Sequence, residues 1–237
     1  MWPFVRPRPW NLTPSADEAV LIDPVAVASV AADFLGKVGW PGIDLMSQEF
    51  QLSLIDQPNE AVEGLVQGWY EQNQQAVCDE LSNRLATYDI DGMSPTARIA
   101  MREAIQCYRS GLYLSVVRGL MPEFEAFARN IYGGPKTSPN QKDVIEWLKS
   151  TIDQLPVAGT AAIESFSLHH FVDDKLFASC FSSADAKALG DVPNRHAELH
   201  GLASYGNLKG ATTLLCVTSY VIQLMDRLRG LTASHTA

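Results

Sequence analysis

The sequence predicts an all-α protein, on three observations. Apolar residues recur at three- and four-residue spacing along most of the chain, the period of one helix face. Ser-Pro, Pro-Asn and Gly-Gly-Pro sites punctuate those stretches where helices start or stop. Period-two alternation is confined to Glu49 through Ile55, where Phe50, Leu52 and Leu54 fall on one side and predict a single short strand.

Residues 1–14 interleave proline with tryptophan and arginine, which prevents helix and sheet ladders and predicts an extended arm. From Ser15 to Leu35 the pattern is helical, begun by Asp17 and Glu18, restarted at Pro24, with Val27, Val30, Ala31 and Phe34 on one face. Gly36 to Gln57 is mixed. Asn59 caps a long helix reaching Tyr88, with Val62, Leu65, Val66, Trp69, Tyr70, Val77, Leu81 and Leu85 at three- and four-residue spacing on its apolar face. After an Asp91-Gly92 turn, Ser94 as N-cap and Pro95 at the first helical position start a helix that runs to Ser110-Gly111. A helix from Leu112 to Tyr132 follows, with a kink predicted at Pro122. Gly133-Gly134-Pro135 stops it, and Ser138-Pro139 opens an amphipathic helix through Ile145, Trp147 and Leu148. Residues 160–190 read as short helical pieces separated by Asp173-Asp174 and Ser182-Ser183. A helix after Pro193-Asn194, a turn at Tyr205-Gly206-Asn207 and an apolar helix from Leu208 to Gly230 complete the chain.

The 237 residues suffice for a substantial core, and 46% hydrophobic with 19% charged content is ordinary for a globular protein. A formal charge of −9 opposes nucleic-acid binding over the whole surface, so any RNA contact needs a local basic patch. Cys78, Cys107, Cys180 and Cys216 are scattered, without a C-x-x-C pair, which disfavours a zinc ribbon; three lie within apolar helical patterns and read as small buried hydrophobes. The arm lacks the continuous apolar core of a signal peptide. The apolar runs near 25–35 and 214–225 are too short or too interrupted to span a bilayer. These features predict a cytoplasmic protein with no membrane partner.

Chemistry concentrates in Pro193-Asn194-Arg195-His196-Ala197-Glu198-Leu199-His200-Gly201. Imidazole exchanges protons near neutral pH, and guanidinium grips phosphate bidentately. Asn194 is a good N-cap, Glu198 sits where it can support the helix start, and His196 and His200 share a face. Arg195, in the first turn, lies where free N–H groups favour an anion. Asn194 and Arg195 are therefore candidate substrate-binding residues, and Arg195, His200 and His196 candidate catalytic ones. A phosphate would sit between Arg195, the helix start and His200. One imidazole would take the ribose 2′-OH proton while arginine stabilises the phosphorane. The product would carry a 2′,3′-cyclic phosphate, and no metal or cofactor is required. Spacing alone also describes an ordinary helix start whose arginine binds a surface carboxylate and whose histidines cap or pack.

Arg195-His196-x-x-x-His200 resembles the Arg-(Asn/Asp/His)-x3-His signature of HEPN domains. The run from Ala104 to Tyr113, followed by Leu120-Met121-Pro122-Glu123-Phe124-Glu125, is similar to that family's first two helices. Tyr205-Gly206-Asn207-Leu208-Lys209 and the apolar helix after it are similar to its last. The resemblance covers roughly residues 95–229. It implies a HEPN-like helical bundle over 93–230, preceded by the arm (1–14) and a mostly helical extension (15–92), with 231–237 a disordered tail. It further implies a homodimer with paired motifs in one cleft, metal-independent endoribonuclease activity on RNA, and a place in phage defence or toxin–antitoxin biology with an antitoxin or defence-system partner. Arg195 and His200 become the catalytic pair, and His196 the polar second position of the motif. Glu125 is expected to face the motif helix and hold Arg195 or a histidine, with Tyr205 in support. For Glu125 a solvated carboxylate is the competing reading.

Other constellations fare less well. His196 and His200 have the i, i+4 spacing of a zinc helix, but position 197 is alanine rather than the glutamate of a metalloprotease. His169-His170 with Asp173-Asp174 reads as local capping rather than a ligand cluster, because adjacent side chains on a helix diverge. No phosphate-binding glycine loop and no aromatic–basic interleaving of the kind that binds single strands is present. The alternative from another class is a non-catalytic helical module that binds a nucleotide or an anionic partner.

Overall fold

The computed structural model describes residues 30–31, 35–36, 38–41, 43–55, 57–87, 93, 95–130, 132, 136–153 and 171–234. Every regular element among them is helical. The expectations for the arm, residues 15–29, Ser94, the Gly-Gly-Pro stop and His169-His170 lie outside the described residues.

A helical segment ends at Gly39, whose φ of 82° is the left-handed region that suits glycine. Gly39 N–H donates to the Gly36 carbonyl at 3.1 Å and Trp40 N–H to the Leu35 carbonyl at 2.8 Å, a paired C-terminal cap. Glycine is needed there for space as well, since a Cβ would lie 2.4 Å from Cγ2 of Val192. The N-terminal region thus abuts the chain just before Pro193-Asn194.

The predicted strand is a helix, α1 (Gln48–Ile55). Its buried residues are Gln51 and Leu54, three apart, and Phe50 stacks on Trp69 at 5.8 Å between centroids. The alternation was accidental: Phe50 and Leu54 also share a helix face, and tertiary packing favoured that period. Helix α2 (Asn59–Thr87) begins at Asn59 rather than after it. The Pro58 carbonyl accepts from Ala61 and Val62 at 2.9 and 3.3 Å. Val62, Val66, Tyr70, Val77, Leu81 and Leu85 are buried as their spacing requires, whereas Leu65 is exposed and Trp69 half-buried at the edge of that face.

Helices α3 (Pro95–Arg109) and α4 (Tyr113–Asn130) form an antiparallel pair across the Ser110-Gly111 turn, and Pro122 lies within α4 without ending it. Helix α5 (Gln141–Asp153) is capped by a reciprocal pair rather than by Ser138-Pro139. Asp143 N–H donates to Oδ1 of Asn140 at 3.0 Å, and Asn140 N–H to Oδ2 of Asp143 at 2.9 Å. A π-helical turn, Val172–Leu176, contains Asp173-Asp174, so that pair separates nothing. Ser182 caps α6 (Ser183–Leu189), followed by α7 (Arg195–Leu199) and α8 (Leu208–Ser234), which runs past the expected end at Gly230.

The α8 helix is buried at every described position from Ala211 to Leu224 and packs against α4, α3 and α2. Across this centre the Tyr108 hydroxyl hydrogen-bonds Oγ1 of Thr212 at 2.7 Å, and Asp44 accepts from both Tyr220 and Arg84. One continuous core therefore joins residues on both sides of position 92. Cys78, Cys180 and Cys216 are buried and free, and Cys107 is half-buried. Among the described residues no helix is long and apolar enough to cross a membrane.

Candidate active site

Helix α7 has five residues, too short to hold itself in water, so its position depends on its anchors. Asn194 is the first of them. Its Oδ1 accepts from Ala197 N–H at 2.9 Å, the N-cap bond. Its Nδ2 donates to the carbonyls of Lys175 and Ala178 at 2.7 and 2.9 Å, tying α7 to the π-helical turn. Asn194 is fully buried and both of its N–H donors are engaged. Its side chain is the socket in which the motif sits, with both amide protons on backbone carbonyls.

The C-terminal anchor is Gly201, with φ 65°. Gly201 N–H donates to Glu198 O at 3.3 Å and Leu202 N–H to Ala197 O at 2.8 Å, closing the helix with the paired glycine cap seen at Gly39.

Two ion pairs of opposite sense fix the rotation of α7 against α4. Arg195 Nε donates to Oε2 of Glu125, and Arg118 Nε donates to Oε1 of Glu198 at 3.2 Å. Glu125 is therefore not a solvated carboxylate. It also receives Nη2 of Arg129 at 2.9 Å, so one carboxylate lies between two guanidiniums. Among the described residues nothing engages the two terminal amino groups of Arg195.

Glu198 corrects an expectation. A capping box needs its acid at the third helical position, which is Ala197; Glu198 is one residue too late. Its side chain is only 5% exposed and reaches away from the helix start, accepting from Arg118 and from Tyr205 N–H at 3.2 Å. Tyr205 supports the motif through that backbone bond and its buried ring. Burial, followed by the nearby charges of Cys180, Glu198 and Asp191, pushes its hydroxyl up to about 12, so it stays protonated.

The histidines lie side by side, with ring centroids 4.3 Å apart. On an α-helix, residues four apart differ by about 40° and residues five apart by about 140°. His196 and His200 are thus neighbours, while Arg195 projects elsewhere. Consequently it is His196, not His200, that shares a hollow with Arg195. The exposed His200 packs on the His196 ring and lines neither hollow beside Arg195.

Those hollows flank Arg195. One, of about 310 Å³, is lined by Met121, Pro122, Glu125 and Arg129 of α4 with Arg195 and Leu199. The other, about 570 Å³, lies between α5 and α7 and includes Lys142, Lys149, Phe177, Phe181, Arg195 and His196 around the carboxylate Glu146. It gathers Lys142, Lys149 and Arg195 around Glu146, whose carboxylate lies 3.7 Å from Lys142 Nζ, while Arg195 is held by Glu125. Sequence reading found no aromatic–basic interleaving because these residues come from three separate elements; only folding places them together. Phe181 was missed for the same reason, carrying no local signal. Among the described residues no group of three or more His, Cys, Asp or Glu side chains is placed to hold a metal ion.

The chain matches no protein-family model, no curated protein and no solved structure.

Proposed function

We propose that this protein is a metal-independent endoribonuclease of the HEPN type, acting as a homodimer in phage defence or toxin–antitoxin biology. The observation that carries the reading is the coexistence, on one anchored turn, of a guanidinium whose two amino groups no described residue engages and a pair of adjacent imidazoles, beside a hollow that two lysines line. Arg195 binds the scissile phosphate and stabilises the phosphorane. His200, the exposed imidazole, moves the proton, and His196 orients it. The ribose 2′-oxygen attacks phosphorus, a base removes its proton, the bond to the 5′-oxygen breaks and that oxygen is protonated, leaving a 2′,3′-cyclic phosphate and a 5′-hydroxyl. Glu125 holds the arginine from behind.

A second reading, a helical module that binds a nucleotide or an anionic partner without turnover, is favoured by one observation: a carboxylate already occupies Nε of Arg195. Incubation of the purified protein with total RNA in EDTA separates the two. Accumulation of 2′,3′-cyclic ends, lost in Arg195→Ala and His200→Ala, supports the enzyme. Tight nucleotide binding with intact RNA supports the module.

A further inference from the structure

The larger hollow holds a feature that phosphate chemistry alone does not require. Phe181 is 77% exposed, the most exposed of the large hydrophobic side chains described. It is nevertheless held in place. Its N–H donates to Oδ2 of Asp185 at 3.0 Å, while Asp185 N–H donates to Oγ of the N-cap Ser182 at 3.2 Å. Its ring meets His196 edge-on, with centroids 5.2 Å apart. An exposed aromatic beside an imidazole, in a hollow that two lysines also line, has the composition of a base-stacking platform. Lys142 and Lys149 stand seven residues apart on α5, roughly 10 Å along its axis, a spacing suited to following a strand rather than gripping one ion.

We infer that the hollow between α5 and α7 is a single-stranded RNA subsite, taking one unpaired nucleobase against Phe181 and His196 and neighbouring backbone phosphates on Lys142 and Lys149. Because Arg195 lines this hollow too, the base it receives belongs to a nucleotide next to the scissile phosphate. Duplex RNA is excluded, since a paired base offers no free face to stack. The inference rests on the ribonuclease reading for the role of Arg195, but its binding half stands separately.

The test uses the full chain carrying His200→Ala, a fluorescein-labelled twelve-nucleotide oligouridine, and anisotropy across a salt series. Loss of one stacking contact should weaken binding about tenfold in Phe181→Ala, with Phe181→Trp retaining affinity. The oligouridine annealed to its complement should bind several-fold less tightly. Lys142→Gln with Lys149→Gln should lower the salt slope by about 1.4, two phosphates at 0.7 each. Uridine monophosphate binding as tightly as the strand, equal binding by Phe181→Ala, equal binding of duplex and single strand, or preference for an acidic peptide would each overturn the subsite. Cleavage by the unsubstituted chain is read in parallel. Cleavage that needs Arg195 and His200 but ignores Phe181 would overturn only the subsite. Phe181-dependent binding without cleavage supports the subsite and removes the enzyme reading.

Discussion

The hollow between α4 and α7 and the hollow between α5 and α7 share Arg195 but treat it differently. On the α4 side Glu125 grips Nε and also accepts from Arg129, so the position of Arg195 is fixed. On the α5 side Lys142, Lys149 and Glu146 share the lining with Phe177, Phe181 and the His196 ring. The first face holds the arginine; the second offers it. A guanidinium with five donors allows both at once, because engaging Nε leaves its outer edge free. Lysine, with one point charge, could not be held from behind and still present a flat bidentate edge.

Removing the shared group has the largest effect. Arg195→Ala and His200→Ala should each reduce RNA cleavage by about 10²–10⁴-fold with helicity unchanged, measured by cyclic-phosphate end formation and circular dichroism. Comparable cleavage by either variant removes its catalytic assignment. Next comes the holding face. Glu125→Gln keeps shape but loses the charge, and should lower kcat by up to about a hundredfold through misplacement of Arg195, with KM changed far less. A KM effect alone would make Glu125 a binding group instead of a positioning one.

Undocking α7 tests whether both faces depend on its socket. Asn194→Ala removes the N-cap and leaves the carbonyls of Lys175 and Ala178 without their amide donor, and should cost about 2–4 kcal/mol in urea unfolding. Gly201→Ala forces a Cβ into φ 65° and should cost about 1 kcal/mol.

The smallest effect belongs to the offering face and is read by pH. The Phe181 N–H, first, and the Ser182 hydroxyl hold the Asp185 carboxyl below its ordinary 3.8. A depressed folded value means its contribution is complete above 3.8 and disappears as pH falls through the lower folded value. Amide exchange at Phe181 should therefore be protected at pH 6 and lose protection under strong acid, and Asp185→Asn should remove that pH dependence.

Helix content was legible because it rests on local chemistry. Spacing at Val62, Val66, Tyr70 and Leu81 set the buried face of α2, and Pro95 set the start of α3. The Asn194 cap was legible too, although its donor side, which grips the π-helical turn, was not. Phe50, Leu52 and Leu54 misled, since a short apolar run fits two periods and only the Trp69 face selects one. In the site, the motif residues were found by type, while the placement of His200 against His196 rather than in the hollows flanking Arg195 came from the structure. Lys142, Lys149 and Phe181 carried no signal at all, being separated from the motif along the chain.

By itself the sequence determined a predominantly helical chain and one turn, capped by Asn194 and Gly201, bearing an arginine and two histidines. Those features follow from backbone propensities and hydrogen bonds within a few residues. Tertiary structure alone decided that Glu125 holds Arg195, that Glu198 turns toward Arg118 and Tyr205, and that lysines and an exposed phenylalanine gather opposite. A five-residue helix has no stable orientation of its own, so the direction its side chains face is set by the larger helices it packs against.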